Sequence, residues 1–325
     1  MPPPKRHHYL PIFYQEGFCR NSFLWIYDRK ENKFRRDQPI NTGVIGKYYT
    51  FETGNGEESA AIEEFLAKWI DTPAKNAIDK LVRGVPLTAR ERSDFSLFLS
   101  FLRVRTPDFE KEYKEGMKGI GEHLFRRMFY NDEASDRKLR QMDPVRIVGK
   151  EMGFEEFKDY MFSQVEAVPG KLGWLEIMRN TAVRSAEMLF SLRWTVLTAP
   201  AGTSFITSDN PFTVVPPPGA VSCGIATPGA IKIVPLTARA VLGMGEPGED
   251  LDCEIVKVPH ETVETINDVV AKECDRFVMC QGDEEGRAFL EGIVKSTGID
   301  RWSKGSRVHV SAVGPLLLLN KKRYL

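Results

Sequence analysis

The sequence predicts an α+β protein, in which strands and helices occupy separate stretches of one chain. Two observations carry this prediction. Residues 57–192 repeat apolar side chains every three or four positions, whereas the stretches on either side show the alternation and the Gly and Pro breaks of strands and turns. Because no linker is long or polar enough to separate independent domains, we expect a single domain over residues 1–325. Within it, residues 57–192 should form a helical subdomain, and the strand-rich residues 193–325 should pack with residues 9–50.

The first predicted element is an N-terminal β-hairpin. Aromatic residues recur with a period of two along residues 23–27, residues 28–33 form a polar turn, and Phe34 resumes the apolar pattern. The positions between the aromatic residues are apolar as well. We therefore expect the first strand of this hairpin to be buried on both faces.

The second predicted element is the central helical block. Helical spacing begins at residue 57, and Pro73 can open a second helix that ends at Gly84. Further helices are predicted from 88 to about 106 and over about 108–130, 154–167 and 173–192. Thr88 followed by Glu91 forms a capping box, and the helix that it opens is apolar on nearly all sides from Phe95 to Leu102. A helix this apolar belongs in the core.

The third predicted element is a mixed or antiparallel C-terminal sheet with closing helices. β-Branched segments bounded by Gly and Pro predict strands at 194–198, 203–207, 212–215, 231–234, 240–244, 253–258 and 308–310. We expect the first two of these to be joined by a turn at residues 200–202. Helical spacing over residues 261–280 and 284–295 predicts the closing helices.

Composition and charge exclude several classes of function. The 45 Lys and Arg residues balance the 45 Asp and Glu residues, so no global positive field would hold nucleic acid non-specifically. The apolar run at residues 312–319 is far shorter than the roughly 20 residues that span a bilayer, and residues 1–6 do not lead into a secretory signal. Five cysteines without a CxxC pair predict reduced thiols. We therefore expect a cytoplasmic protein that does not enter a membrane.

The sequence lacks the motifs of several familiar enzyme classes. The sequence contains no GxxxxGK[ST], HExxH or GxSxG motif, which argues against a P-loop, a zincin protease and a lipase-type hydrolase. A GxGxxG pattern occurs at residues 243–248, but a second predicted strand follows it where a dinucleotide site needs a helix N-terminus. We interpret this pattern as a glycine-rich turn.

Two histidines near the N-terminus form the first candidate site. His7 and His8 titrate near neutral pH, so either can serve as a general acid or base or bind a metal ion. Neighbouring side chains of an extended segment diverge, and only one of them should face inward. The alternative is that both lie on the surface. We expect Tyr9 and Phe13 to pack against the helical block and His8 to face the turn at residues 208–211.

A helix end provides the second candidate. Arg103 and Arg105 follow apolar residues, and a half-buried guanidinium needs an anionic partner from the protein or from a ligand. The alternative is that these arginines cap the C-terminus of their helix. Glu63 and Glu64 leave a similar choice open, because one of them can face inward as an acid although a solvated helix surface is the ordinary interpretation.

A polar turn provides the third candidate. Ser208, Asp209 and Asn210 follow an apolar strand, where hydroxyl, carboxylate and amide groups can hold a metal ion or orient a substrate. The alternative is an ordinary turn, since Asp and Asn side chains bond to their own backbone. Asn267, on a predicted helix, can orient a substrate through its amide, although most helical Asn residues are merely solvated.

Taken in chain order, these candidates resemble one family. The ordered set comprises His8-Tyr9-x-Pro11, Trp25-x-Tyr27-Asp28, Arg103-x-Arg105-Thr106-Pro107, the strand of Trp194 continuing to Phe205 through Pro211, Val234-Pro235-Leu236-Thr237 and the helix of Asn267. Over about residues 7–280 it resembles the domain-of-unknown-function family 4238. The resemblance implies a widespread, mainly bacterial family without an established activity, and site positions at His8, Tyr9, Arg105, Asp209, Asn210 and Asn267. Because His7 and Arg103 stand beside two of these, the acting member of each pair stays open.

We expect a hydrolase of phosphate-bearing substrates, of which a nuclease effector is the narrower form. His8 would act as general acid or base, Asp209 would hold a divalent metal ion or orient water, and Arg105 would stabilise phosphate charge. The substrate contacts would come from His7, Tyr9, Arg103, Ser208, Asn210 and Asn267. The sequence leaves open whether a metal ion is used and whether the substrate is a small molecule or a nucleic acid.

The competing hypothesis is a non-catalytic binding or interaction module. In it, His8, Arg105 and Asp209 would form a buried network of hydrogen bonds and ion pairs that fixes the hairpin onto the helices and the sheet. This hypothesis predicts that Asp209→Asn or Arg105→Ala lowers the melting temperature, because it removes one partner of a buried pair.

Overall fold

The protein has the predicted α+β architecture. A computed structural model describes residues 6–168, 170–220, 223–248 and 253–300. The chain divides into two compact units, one made of residues 1–108 with 177–325 and the other of residues 109–176. All strands in the described part of the chain belong to the first unit. The strand predicted at residues 308–310 lies outside the described residues.

Strands are concentrated at the two ends of the chain, as predicted. Their bounds are β1 (Arg6–His8), β2 (Leu24–Asp28), β3 (Lys33–Asp37), β4 (Val44–Gly46), β5 (Phe51–Glu52), β6 (Glu58–Ser59), β7 (Leu192–Thr198), β8 (Thr207–Ser208), β9 (Thr213–Val215), β10 (Ile231–Thr237), β11 (Ala240–Pro247), β12 (Cys253–Lys257) and β13 (Phe277–Gln281). The predicted hairpin is confirmed as β2 and β3, which pair antiparallel, and four of the five residues of β2 are buried.

These strands form two main sheets and two short ribbons. The five-stranded sheet has the order β12, β7, β11, β10, β9, in which only the β12–β7 pair is parallel. The four-stranded sheet has the order β3, β2, β13, β8 and is antiparallel throughout. β1 pairs with β4, and β5 pairs with β6. The N-terminal hairpin and the C-terminal strands thus share a sheet, as expected.

Helices fill most of the middle of the chain. Their bounds are α1 (Ile12–Glu16), α2 (Ala61–Phe65), α3 (Thr72–Val82), α4 (Ala89–Val104), α5 (Pro107–Phe129), α6 (Glu133–Arg140), α7 (Pro144–Val148), α8 (Phe154–Ser163), α9 (Lys171–Ser191), α10 (His260–Lys272) and α11 (Gly286–Thr297). A π-helical turn, Leu66–Asp71, joins α2 to α3, and a 3-10 turn covers Pro39–Asn41. Within the described residues, none of these helices is both long and apolar enough to cross a membrane.

Helix α4 confirms the sequence prediction for the core. The Thr88 side chain accepts the backbone N–H of Glu91, and the Glu91 side chain accepts the backbone N–H of Thr88. This reciprocal cap satisfies two N–H groups that the helix itself leaves unpaired. The apolar residues from Phe95 to Leu102 are buried, except Leu97, which is half-buried. The helix therefore carries Arg105, at its C-terminal end, into the interior.

Three predictions for the C-terminal part are wrong. The helix expected over 261–280 ends at Lys272, and residues 277–281 form β13, an inner strand of the four-stranded sheet. The strand expected at 203–207 is reduced to β8, which lies in the four-stranded sheet and not beside β7. The GxGxxG pattern is not a turn but part of β11. In each case tertiary pairing overrides a local pattern.

A buried apolar cluster of the first unit joins both sheets to α10 and α11. It includes Leu197 and Val241 of the five-stranded sheet, Val278 of the four-stranded sheet, Ile266 of α10 and Leu290 of α11. Burying an apolar side chain of this size contributes roughly 1.5 to 3 kcal/mol. The cluster thereby holds β8 and β13 in place, and the turn that carries Asp209 begins where β8 ends.

The second unit is a small helical assembly with its own caps and core. Asp132 accepts the backbone N–H of Ser135 at the start of α6, and Asp143 accepts that of Val145 at the start of α7. Inside the unit, the rings of Phe125 and Phe162 lie 5.6 Å apart. The candidate residues lie outside this unit, so the site is built by the first unit.

Candidate functional site

The pairing of β1 with β4 separates the two histidines. His7 stands opposite Ile45 and His8 opposite Val44. Because successive side chains of a strand point to opposite faces, His7 is fully buried whereas His8 is half-buried. The expectation that one of the two would point inward is confirmed.

His7 supports the backbone of a neighbouring loop. Its Nδ1 accepts the backbone N–H of Tyr49 at 2.9 Å, and the two rings stack 5.8 Å apart with 13° between their planes. The Tyr49 hydroxyl in turn donates to the carbonyl oxygen of Arg105 at 3.3 Å. His7 is therefore linked through Tyr49 to the backbone of the candidate arginine.

His8 was expected to face the turn at residues 208–211, but its ring bonds to a different segment. Its Nε2 lies 3.1 Å from the carbonyl oxygen of Ile40. Because a carbonyl oxygen only accepts hydrogen bonds, Nε2 carries the proton, and Nδ1 of the neutral ring is left as an acceptor. Partial burial lowers the pKa of His8 below its usual value, with smaller contributions from the nearby Arg6 and His7. The ring is therefore neutral at physiological pH.

Arg105 is fully buried at the C-terminal end of α4, and its guanidinium is held on one side. Nη1 donates to both carboxylate oxygens of Asp71, at 2.9 Å and 3.3 Å. The guanidinium carbon lies 5.7 Å from the centre of the Phe98 ring. Nε and Nη2 have no hydrogen-bond partner among the described residues. These two nitrogens form the edge of a guanidinium that binds an oxyanion through two parallel hydrogen bonds.

Glu63 lies beside this arginine. Its carboxylate accepts the backbone N–H of His8, and the charge of Arg105 is close enough to lower its pKa. Burial outweighs both effects and raises the pKa of Glu63 to about 7. Burial also raises the pKa of Asp71, against the opposing effect of Arg105. We call Glu63, Asp71, Arg105 and the backbone N–H of His8 the Arg105 cluster.

The π-helical turn explains how two carboxylates reach one guanidinium. Glu63 and Asp71 are eight positions apart, and a regular α-helix would place such residues about 80° apart around its axis. The wider π-turn between them reduces the rotation per residue and brings Asp71 back toward the face of Glu63. Such turns occur often at functional sites. Asp71 was missed by the sequence analysis, because no residue pattern marks a π-turn.

Asp209 has a different environment. Its two carboxylate oxygens accept the backbone N–H groups of Asp275, at 3.0 Å, and of Arg276, at 2.8 Å. Its own backbone N–H donates to the carbonyl oxygen of Phe277. Burial, with a contribution from the charge of Asp275, raises the pKa of Asp209 to about 7 although these N–H groups act in the opposite direction. The side chain ties the end of β8 to the segment that enters β13.

The other residues predicted around this turn also bond to the protein itself. The Asn267 Oδ1 accepts the backbone N–H of Ile206 at 3.0 Å, and its Nδ2 donates to the carbonyl oxygen of Ser204 at 2.9 Å. The Asn210 Nδ2 donates to the Asp108 carboxylate and to the carbonyl oxygen of Glu273, both at 3.2 Å. The Ser208 hydroxyl accepts the backbone N–H of Asn210 at 3.2 Å.

Tyr9 is the N-terminal residue that lies near Asp209. It is buried, and burial raises the pKa of its hydroxyl, with a contribution from the charge of Asp209. Its ring packs edge-on against Tyr48, with 6.2 Å between the ring centres. The Phe13 ring packs on Phe98 of α4 at 5.7 Å, as expected. Arg103 is half-buried in the last turn of α4.

The predicted residues thus fall into two groups. His8 and Arg105 meet in the Arg105 cluster, together with Glu63 and Asp71. Asp209 belongs with Ser208, Asn210 and Asn267, whose polar atoms bond to backbone and to Asp108. Among the residues that the structure describes, no three His, Cys, Asp or Glu side chains are arranged to hold a metal ion.

The family comparison agrees with the ordered motifs. The model described as "Protein of unknown function (DUF4238)" matches residues 6–284. The chain belongs to this family. No curated protein and no solved structure matches it. The DUF4238 match includes the Arg105 cluster and the Asp209 turn and ends just before α11. Since the family description gives no activity, roles for these residues must come from their geometry.

Proposed function

We propose that the protein is a hydrolase of phosphate-bearing substrates and that the Arg105 cluster is its active site. The observation that supports this most directly is the guanidinium of Arg105, which Asp71 holds through Nη1 while Nε and Nη2 are without a partner in the described structure. A buried donor without an acceptor costs free energy, and an oxyanion would relieve that cost at two nitrogens together. Phosphate is an oxyanion that fits this paired arrangement.

The neighbouring groups supply the proton transfer that phosphate ester hydrolysis needs. A carboxyl with a pKa of about 7 is efficient as acid and as base near neutral pH. In the proposed reaction, a water oxygen bonds to phosphorus while protonated Glu63 gives its proton to the leaving oxygen. The bond from phosphorus to that oxygen breaks, and the Glu63 carboxylate then takes up the proton that the water molecule releases. Arg105 stabilises the charge on the phosphoryl oxygens throughout.

A specific observation favours a structural role for the other predicted residues. The carboxylate of Asp209 and the amide of Asn267 both bond to backbone groups of the first unit. In this proposal Asp209 is therefore a positioning residue for the turn between β8 and Phe212, and it takes no part in the reaction. If no activity resides in the Arg105 cluster, the same contacts suit the alternative of a non-catalytic interaction module.

The proposal also includes a cytoplasmic location. Among the described residues, Cys19, Cys223, Cys253 and Cys280 are not joined in disulfides. Reduced thiols are the ordinary state of cysteine in the cytosol.

Hydrolysis of chromogenic phosphate esters tests the assignment. The purified full chain is assayed at pH 6 to 8 against a phosphomonoester, a phosphodiester and single-stranded oligonucleotides, with and without added divalent cations. We expect hydrolysis by the wild-type protein, loss of at least 100-fold in kcat for Glu63→Gln, and unchanged kcat for the matched control Glu64→Gln, whose side chain is exposed. Thermal melting verifies that both variants are folded. Wild-type inactivity on every substrate, or full activity of Glu63→Gln, would refute the proposal.

A further inference from the structure

The charges of the Arg105 cluster cancel. Arg105 carries one positive charge and Asp71, its ion-pair partner at 2.9 Å, one negative charge. His8 contributes its backbone N–H to Glu63, and its ring is neutral because partial burial lowers the pKa of the imidazole. The remaining titratable group is Glu63. The site is therefore neutral when Glu63 is protonated and carries a net negative charge when it is ionised.

Because the Arg105 cluster is buried, its net charge determines which charged ligands it can bind. Arg105 is fully buried, and the cluster reaches the surface through Glu63 and Asp71, which are partly exposed. An anion bound to Nε and Nη2 would lose most of its hydration, and charge that the site does not compensate is costly under such conditions. A second negative charge on the ligand would find no further cation in the cluster.

The hydrogen-bond donors point to the same class of ligand. Nε and Nη2 of Arg105 offer two donors, and protonated Glu63 offers a third. A phosphodiester presents two non-bridging oxygens that share a single negative charge. A phosphomonoester has a second pKa of about 6 and is mainly dianionic above neutral pH. A diester can accept from these donors and leaves one uncompensated negative charge in the cluster, whereas a dianionic monoester leaves two.

We propose that the Arg105 cluster selects monoanionic phosphodiesters over dianionic phosphomonoesters and takes up one proton at Glu63 when it binds them. This inference rests on the proposed function, because it concerns the same site. It adds the substrate class and the coupling of binding to pH, neither of which the hydrolase assignment requires.

Calorimetric titration of the full chain tests the inference without any need for turnover. Diethyl phosphate serves as the monoanionic probe and ethyl phosphate as the dianionic probe, each at pH 6 and pH 8. Comparing buffers with different ionisation enthalpies gives the number of protons taken up. We expect diethyl phosphate to bind at least tenfold more tightly than ethyl phosphate at pH 8. Its affinity should fall about tenfold from pH 6 to pH 8, because a carboxyl that titrates near 7 loses its proton over that interval.

Two variants provide the controls. Glu63→Gln keeps the shape and one donor of the side chain, so diethyl phosphate should bind it without proton uptake and with the same affinity at both pH values. Glu64→Gln should behave as the wild type does. Equal or tighter binding of ethyl phosphate at pH 8, or the absence of proton uptake by the wild type at pH 8, would overturn the inference. Hydrolysis of phosphomonoesters alone would leave the hydrolase proposal standing and refute only this selectivity, whereas wild-type protein that neither binds nor hydrolyses any ester refutes both.

Discussion

Asp71 and Arg105, which are 34 positions apart in the chain, form an ion pair in which the arginine is fully buried and the aspartate is largely so. The pair joins the π-helical turn to the end of α4. Its geometry fixes the plane of the guanidinium and thereby the direction in which Nε and Nη2 point. Asp71 is thus the residue on which the orientation of the proposed anion site depends.

Replacing Asp71 with Asn should destabilise the protein. The substitution keeps the size of the side chain but leaves the buried charge of Arg105 without its partner, a loss that typically costs about 3 to 5 kcal/mol. Urea denaturation measures the free energy of unfolding, with Asp79→Asn as the matched control because Asp79 is exposed on α3. A change for Asp71→Asn no larger than that of the control would contradict the buried pair.

Asn267→Ala should also lower stability. Its removal leaves the backbone N–H of Ile206 and the carbonyl oxygen of Ser204 without their partner, and each unpaired buried group costs about 1 to 3 kcal/mol. We expect a total loss of roughly 2 to 4 kcal/mol in the free energy of unfolding. Asn180→Ala, on α9, is the control and should show no such loss. If Asn267 instead serves a substrate, its variant will retain the wild-type stability.

Stability should depend on pH through Glu63. The pKa of this carboxyl rises from 4.5 to about 7 on folding, so the folded protein favours the protonated form. The contribution of Glu63 to the free energy of unfolding is complete below about pH 4.5 and is lost as the pH rises through 7. Glu63→Gln removes that loss, and its stability relative to the wild type should increase from pH 5 to pH 8. Asp209 titrates in the same range but is present in both proteins, so it cancels in the difference. Denaturation curves for Glu64→Gln should follow those of the wild type, and a constant difference for Glu63→Gln would disprove the assignment.

Gly282→Ala should weaken the junction between the N-terminal hairpin and β13. A Cβ at this glycine would overlap the carbonyl oxygen of Phe23, so the backbone of one segment has to move. Overpacking of this kind costs roughly 1 to 3 kcal/mol. Gly54→Ala is the control, because a Cβ there meets no atom within 4 Å. Thermal melting that shows equal effects of the two substitutions would argue against a tight junction.

Local sequence patterns correctly predicted the elements that are described by the residues of their own segment. The capping box at Thr88 and Glu91 and the alternation along β2 each describe a segment by its own residues, and both predictions are confirmed. The strand at 277–281 was missed because its apolar residues continue the helical spacing of α10. Its identity depends on the hydrogen bonds of β2 and β8 on its two sides, which lie far away in the sequence.

Local sequence patterns also revealed only part of the candidate site. Arg105 was identified because a charged residue follows an apolar helix. Asp71 was not, because an aspartate before Thr72-Pro73 is an ordinary helix start and the π-turn has no sequence mark. Asp209 was identified as a polar group at a strand end, but the sequence could not reveal that both of its oxygens would be occupied by the N–H groups of Asp275 and Arg276.

The inner position of β13 has a consequence for the order of folding. Asp28 and Arg276, paired at one end of the β2–β13 ladder, are 248 residues apart in the chain. During synthesis β2 leaves the ribosome well before the strand that must lie beside it. Contacts over such sequence separations form slowly, and until then β2 offers an unpaired apolar edge to other chains. Nascent chains truncated before residue 277 should therefore be the species that chaperones bind and that aggregate.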